Sequence, residues 1–304
     1  MAKSHYINKK EIKHLARTSD LVGLALVLHC WGMVIAMMAI FIIWPNPLTF
    51  IAAALIIGGR QLGMAILMHD AAHGVLFKTK SLNRFFGRFF LGYPIGADMD
   101  AYREYHLKHH LYAQRENDPD LGLSAPFPIK RASFVRKILR DLSGMTALKL
   151  RFGQLLMTYR QKATAEPADR VFEIKTLAWP YLTNLILFAG FYLAGYWWLY
   201  FALWLLPLFT VFQLFLRIRN IAEHALTTND DNPLTHARTT LANPLERLFV
   251  APYWVNYHIE HHVYMYVPCW RLKQLHMAML NNGYEKDMEI KPSYRAVLNV
   301  AIIN

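Results

Sequence analysis

Fourteen histidines stand in the chain, and eight of them fall into three tight groups. His69 and His73 are four apart, in H-D-A-A-H; His106, His109 and His110 form H-L-K-H-H; His258, His261 and His262 form H-I-E-H-H. His224 stands alone in N-I-A-E-H, and His5, His14, His29, His236 and His276 belong to no pattern. On a helix, residues at i, i+3 and i+4 share one face. The longer groups therefore point three imidazoles the same way, and the shorter one points two. Imidazole is a ligand for iron, zinc, copper and nickel. Eight or nine histidines exceed the needs of one ion and suit two ions with four or five each. No cysteine lies in a group and no H-E-x-x-H occurs, which argues against a structural zinc site or a zinc metalloprotease. An all-imidazole pair of sites in a lipid-facing bundle points to two iron ions and to dioxygen as co-substrate.

The elements that must carry these groups are apolar. Of 304 residues, 55% are hydrophobic and only 18% charged, against ~25% charged in a usual soluble domain. This balance excludes an ordinary soluble enzyme and a disordered chain. Two cysteines, Cys30 and Cys269, cannot build a disulfide framework. Four apolar runs are long enough for the ~20 residues that a membrane crossing needs. They cover about 21–44, 48–68, 176–194 and 196–216. Pro45, Asn46 and Pro47 turn the chain between the first pair, and a short turn near Gly195 joins the second. The first run is too long for a signal peptide, and no A-x-A-like site closes it.

Charge sets the orientation. The chain carries 33 Lys and Arg against 21 Asp and Glu, a net charge of +12. Among the basic residues only Arg60 lies within a span, and neither tight turn holds one. The positive-inside rule places both termini and the segments 69–175 and 217–304 in the cytoplasm. Two spans separate the second histidine group from the third, so all three groups return to one face. The fold class expected is an all-α integral membrane protein: four transmembrane helices in two hairpins, with a cytosolic helical cap that holds the histidines. The segment Lys130 to Lys175 carries eleven basic and four acidic residues. It reads as a solvated face against anionic lipid, or as a docking surface for an acidic electron-transfer partner. Nothing in it resembles a nucleic-acid-binding module. The stretch Ser81 to Gly96, with Arg84 and Arg88 among four phenylalanines, reads as an interfacial helix.

The three boxes and their placement around two pairs of spans resemble the membrane fatty acid desaturase-like family. The likeness covers about residues 20 to 280. It implies one desaturase-like membrane domain over 1–304, a di-iron centre, and oxygen-dependent insertion of a double bond into a fatty acyl chain or acyl lipid. It also implies that His69, His73, His106, His109, His110, His258, His261 and His262 hold iron. Asn220 to His224 is similar to the N-x-x-x-H element of acyl-CoA desaturases, which implies a ninth ligand in His224 and an approach of Asn220 to iron through water. The first box has three intervening residues where the acyl-CoA type has four. The third opens on His258 where front-end desaturases have Gln. These features look more like bacterial lipid desaturases and related hydroxylases, which implies a bacterial inner membrane. No H-P-G-G haem motif occurs, so the electrons are expected from a separate donor: ferredoxin, rubredoxin or cytochrome b5.

Ligating histidines usually donate their second N–H to a carboxylate or carbonyl. Glu223, Glu260 and Asp70 are the leading candidates because they lie inside the histidine boxes, with Asp98, Glu104, Asp118 and Asp120 behind them. In N-D-P-D-L, Asp118 and Asp120 read equally well as turn formers. Arg60, mid-span, is expected to face the bundle interior or to snorkel, and to meet either a substrate head group or a carbonyl. Cys269 is read as a packing residue. Two other readings stand beside the desaturase: a di-iron hydroxylase or ketolase of a fatty or carotenoid chain, and a histidine-rich membrane metal transporter or sensor.

Overall fold

A computed structural model describes residues 6–164, 174–230 and 232–304. His5, Lys3 and the stretch 165–173 of the basic segment lie outside the described residues. After a short helix α1 (Lys9–Leu15), the Ser19 side chain accepts from Val22 N and starts α2 (Asp20–Ile43). The turn at 44–46 is closed by Asn46, whose side chain accepts from Leu48 N and Thr49 N. Pro47 stands at the first position of α3 (Pro47–His73), where its missing N–H costs nothing. Gly74, at φ +77°, ends that helix in the left-handed conformation.

The length of α3 decides where the first box sits. Its 27 residues span about 40 Å at 1.5 Å per residue, while a hydrocarbon core is only about 30 Å thick. The helix does not stop at Met68, as the apolar run suggested, but carries His69 and His73 on its last two turns. From Ile57 to Ala72 almost every residue is buried. There α3 packs against α2, the following helical stretch and the fourth apolar helix. Gly58 and Gly59 permit this: a Cβ on either would meet Val211 or the Leu248 carbonyl at 2.8 Å. Arg60 turns to the Leu248 carbonyl (2.6 Å) and the Tyr253 ring, the second of its two expected environments.

The chain continues as α4 (Lys80–Phe86), a wider helical turn over Gly87–Gly92 and a tight one over Tyr93–Ile95. Phe85, Phe89 and Phe90 of this stretch are exposed, while Gly87 and Gly92 press on Ala71, Met99 and Met68. Asp98 caps α5 (Met99–Tyr112) through Asp100 N and Ala101 N. Then come α6 (Leu121–Ser124), α7 (Arg131–Leu142), α8 (Met145–Thr164) and α9 (Ile174–Leu193). The fourth apolar helix is interrupted: α10 (Trp197–Leu199), a wide turn to Leu205, α11 (Leu206–Phe209) and α12 (Val211–His224). Thr210, at φ −119° and ψ −82°, breaks it. Gln61 Nε2 donates across to the Trp204 carbonyl within this broken stretch (2.8 Å). It too runs past its apolar run, which ended near 216, and reaches His224.

The remaining helices are α13 (Pro244–Phe249), α14 (His258–Val263), α15 (Leu272–Asn281) and α16 (Tyr294–Ala301). Two parallel two-residue pairs tie them down: β1 (Ile129–Lys130) with β4 (Ile302–Ile303), and β2 (Thr239–Thr240) with β3 (Ile290–Lys291). Among the described residues the protein is thus essentially helical. Its four helices Asp20–Ile43, Pro47–His73, Thr176–Leu193 and Trp197–His224 are long and apolar enough to cross a membrane.

Candidate metal centre

Nine imidazoles converge in two groups. His69 and His73 from α3, His106 and His110 from α5 and His261 from α14 form one; His109 from α5, His224 from α12 and His258 and His262 from α14 form the other. Within each group the nearest ring nitrogens all lie within 4.8 Å of one another. The spacing argument had each H-x-x-H-H box pointing one way, but both boxes are split. Successive helical residues differ by about 100°, so His109 and His110 leave α5 in different directions. The split is reciprocal: α5 gives two imidazoles to the first group and one to the second, and α14 gives one and two. The groups adjoin, with the His110 and His262 ring centroids 4.4 Å apart.

The inner edges of the rings are in close contact. Nε2–Nε2 distances are 2.9 Å for His69–His261, His106–His110 and His110–His261. In the second group they are 3.1 Å for His109–His224, 2.8 Å for His224–His258 and 3.2 Å for His258–His262. Four of the outer nitrogens face acceptors, while His262 Nδ1 is buried without a partner among the described residues. His69 Nδ1 lies 3.4 Å from Asp70, His109 Nδ1 2.8 Å from Asp118, His258 Nδ1 3.5 Å from Glu223, and His224 Nδ1 3.1 Å from the His236 carbonyl. An N–H on each outer nitrogen leaves a lone pair on each inner one in a neutral ring. Lone pairs brought this close are placed to share a cation. His73 Nε2, buried without a hydrogen-bond partner among the described residues, fits the same reading.

Burial and then neighbouring imidazoles push His106, His258, His261 and His262 well below the usual 6.5. Burial, followed by His73 and His109, takes His110 to about 2. These five rings are therefore neutral at pH 7, the form that binds metal.

Of the leading carboxylates, Asp70 and Glu223 face ring nitrogens. Asp70 also accepts the backbone N–H of Cys269 (2.8 Å), whose side chain is buried as a packing residue. Glu223 is held by Arg219, whose Nε lies 2.7 Å away. Glu260 departs from expectation: its two oxygens go to Thr239 Oγ1 and His276 Nδ1, each at 2.5 Å, instead of to a ring of the nine. Glu104 is exposed, and Asp98 is the cap of α5. His236 was missed, although its carbonyl holds His224 and its ring lies 5.4 Å from that of His262. No spacing signal could have revealed it. Asn220, with Arg219, Tyr102 and Glu223, lines a small cavity of about 30 Å³ against His106, His109, His224 and His258. That is room for about one water.

A larger cavity, about 360 Å³ and mostly apolar, adjoins the centre. Tyr102 and Arg219 lie at its end near the histidines, and Tyr102 stacks on His106 with centroids 5.2 Å apart. Its walls come from α3, α5, α8, α9 and α12.

Apolar helices whose ends carry two imidazole clusters able to hold metal define a histidine-box membrane protein. The chain belongs to the fatty acid desaturase family, whose profile its residues 45–294 match. It is also 31% identical over 254 residues to dihydrorhizobitoxine desaturase of Bradyrhizobium elkanii, an overlap of 80% of this chain and 70% of that one. A desaturase-type oxidoreductase follows, and the four apolar helices fit an integral membrane protein.

Proposed function

We propose that this protein is an oxygen-dependent di-iron desaturase that inserts a double bond into a fatty acyl chain or acyl lipid. The observation that carries the reading is the pair of imidazole clusters with inward lone pairs, beside an apolar cavity of about 360 Å³. An unactivated methylene C–H bond is beyond side-chain acid–base chemistry. Two irons, when bound, supply the oxidising power, with dioxygen and two electrons from a separate donor such as ferredoxin, rubredoxin or cytochrome b5. The balance is R–CH₂–CH₂–R′ + O₂ + 2 e⁻ + 2 H⁺ giving R–CH=CH–R′ + 2 H₂O.

The chain's own residues do the positioning. Asp70, Asp118, Glu223 and the His236 carbonyl each take a proton-bearing outer nitrogen and turn the inner lone pair toward the ion. The first group would hold one iron with five imidazoles and the second another with four. Asn220 would reach the second through a water in the small cavity. Tyr102 and Met68 would border the chain carbons to be attacked, and the apolar walls exclude bulk water.

In this reading residues 1–304 form one membrane domain of two helical hairpins under a cytosolic cap. Both termini and the centre lie in the cytoplasm at a bacterial inner membrane, and the basic helices α7 and α8 face lipid head groups or the donor. The relative's name gives dihydrorhizobitoxine as its substrate, so substrates within the family are varied and the chain attacked here must be measured. The hydroxylase and transporter readings have no observation of their own in favour. The test is a mass-spectrometric lipid profile of iron-replete cells expressing the protein, beside His261→Ala. A new unsaturated lipid with the intact protein alone supports the proposal. An oxygenated product replaces it with hydroxylation, and purified protein without iron removes it.

A further inference from the structure

The large cavity is apolar along most of its wall, yet one cation enters it with no ion-pair partner among the described residues. Arg151, on α8, is half-buried. Its Nη1 donates to the Gly96 carbonyl (2.5 Å) and the Gln154 side-chain oxygen (3.1 Å), and its Nη2 to the Ile95 carbonyl (2.8 Å). These partners are all neutral, and no carboxylate pairs with it among the described residues. Two of its five N–H donors, Nε–H and the second on Nη2, are unengaged by described residues. The guanidinium is seated in a prepared place. Gly96, at φ +76°, leaves the space it fills, and a Cβ there would lie 2.4 Å from Nη2.

The other charges that line the cavity are spoken for. Arg219, at the metal end, is paired with Glu223. Asp98 accepts two backbone N–H groups as the cap of α5. Withdrawing a cation from water without a partner is unfavourable, and a guanidinium with spare donors is the group best shaped for carboxylate or phosphate.

We propose that Arg151 seats the anionic head group, a carboxylate or phosphate, of an amphiphilic substrate whose chain extends through the cavity toward Tyr102. The proposal rests on the desaturase reading for the cavity's role as a substrate site, and on the structure alone for the anion seat.

The test uses iron-loaded protein in neutral phosphatidylcholine nanodiscs, titrated with radiolabelled decanoate, decyl phosphate and methyl decanoate. At least one anion should bind about 10–100-fold more tightly than the uncharged ester, the range for a hydrogen-bonded charge. Tighter decanoate assigns a carboxylate head, and tighter decyl phosphate assigns a phosphate. Arg151→Gln should bring the anions down to the ester's affinity while the iron content stays at the wild-type level, and Arg151→Lys should restore part of the difference. Equal binding of ester and anions by the wild-type protein overturns the proposal and needs no variant to fold. Unchanged anion affinity in folded Arg151→Gln overturns it as well. The two readings fail separately: di-iron protein that desaturates nothing removes the activity, while the charge dependence of binding decides the seat.

Discussion

His109 Nδ1 and Asp118 Oδ1 lie 2.8 Å apart, and both side chains are almost fully buried. The pair links the second imidazole cluster to a turn nine residues further along the chain. Asp118 also accepts Gln114 N through Oδ2 and Asp120 N through Oδ1 (both 2.8 Å). One carboxylate therefore shapes the turn and sets the tautomer of His109.

Asp118→Asn keeps an oxygen near the turn but removes the charge that holds the His109 N–H. Losing such a partner typically lowers metal affinity about 10–100-fold. The expected outcome is weaker binding at one of two iron sites, read by chelator competition. Two sites of wild-type affinity would assign Asp118 to the turn alone.

The reciprocal split of the boxes makes the two sites separable. His110→Ala leaves four imidazoles in the first group, and His262→Ala leaves three in the second. His262→Ala should fall toward one iron per chain, and His110→Ala should retain more. Metal analysis with Mössbauer spectroscopy distinguishes the sites. Loss of both irons in either variant would mean that the clusters load as one unit.

The histidines and the four apolar helices were legible because each is a local pattern: eight imidazoles repeat at i, i+3 and i+4, and each apolar helix is a continuous run. His224 came only from the likeness of N-I-A-E-H to a known element. The misses are of three physical kinds. Helix ends at His73 and His224 were set by caps and packing past the apolar runs, because hydropathy marks where lipid ends and not where the helix does. The division of each box between two groups depends on a 100° step that a one-face argument averages away. Glu260, His236 and Thr239 took roles fixed by tertiary contacts. Thr239, for example, reaches Glu260 across 21 residues.

Glu260 is the clearest of these. It is wholly buried between His258 and His261 in sequence, and its oxygens are taken by His276 and Thr239. Thr239 Oγ1 also accepts the Ile259 N–H (3.3 Å), so the network fixes the first turn of α14. His276→Ala leaves a buried carboxylate oxygen without its partner, at about 1–3 kcal/mol. Thermal unfolding in detergent should show that loss, with less iron lost than in His261→Ala. Stability equal to wild type would mean that water replaces the ring at no cost.

Acid should destabilise the metal-free protein, and the sign follows from the imidazoles. Burial above all takes His236 down to about 4, and His110 falls to about 2. An unfolded imidazole titrates near 6.5. Between these values the unfolded chain binds protons that the folded chain refuses, so stability falls as pH falls. The contribution is fully present above about 6.5. It is lost progressively below that value, down to about 4 for His236 and further for His110. Unfolding of the chelated protein between pH 7.5 and 5 should show a steady decline, shallower in His236→Gln. Iron should be released over the same acid range, because protons compete for the same nitrogens. A flat profile would mean that the inner nitrogens are open to solvent, and the buried neutral cages would then have to be abandoned.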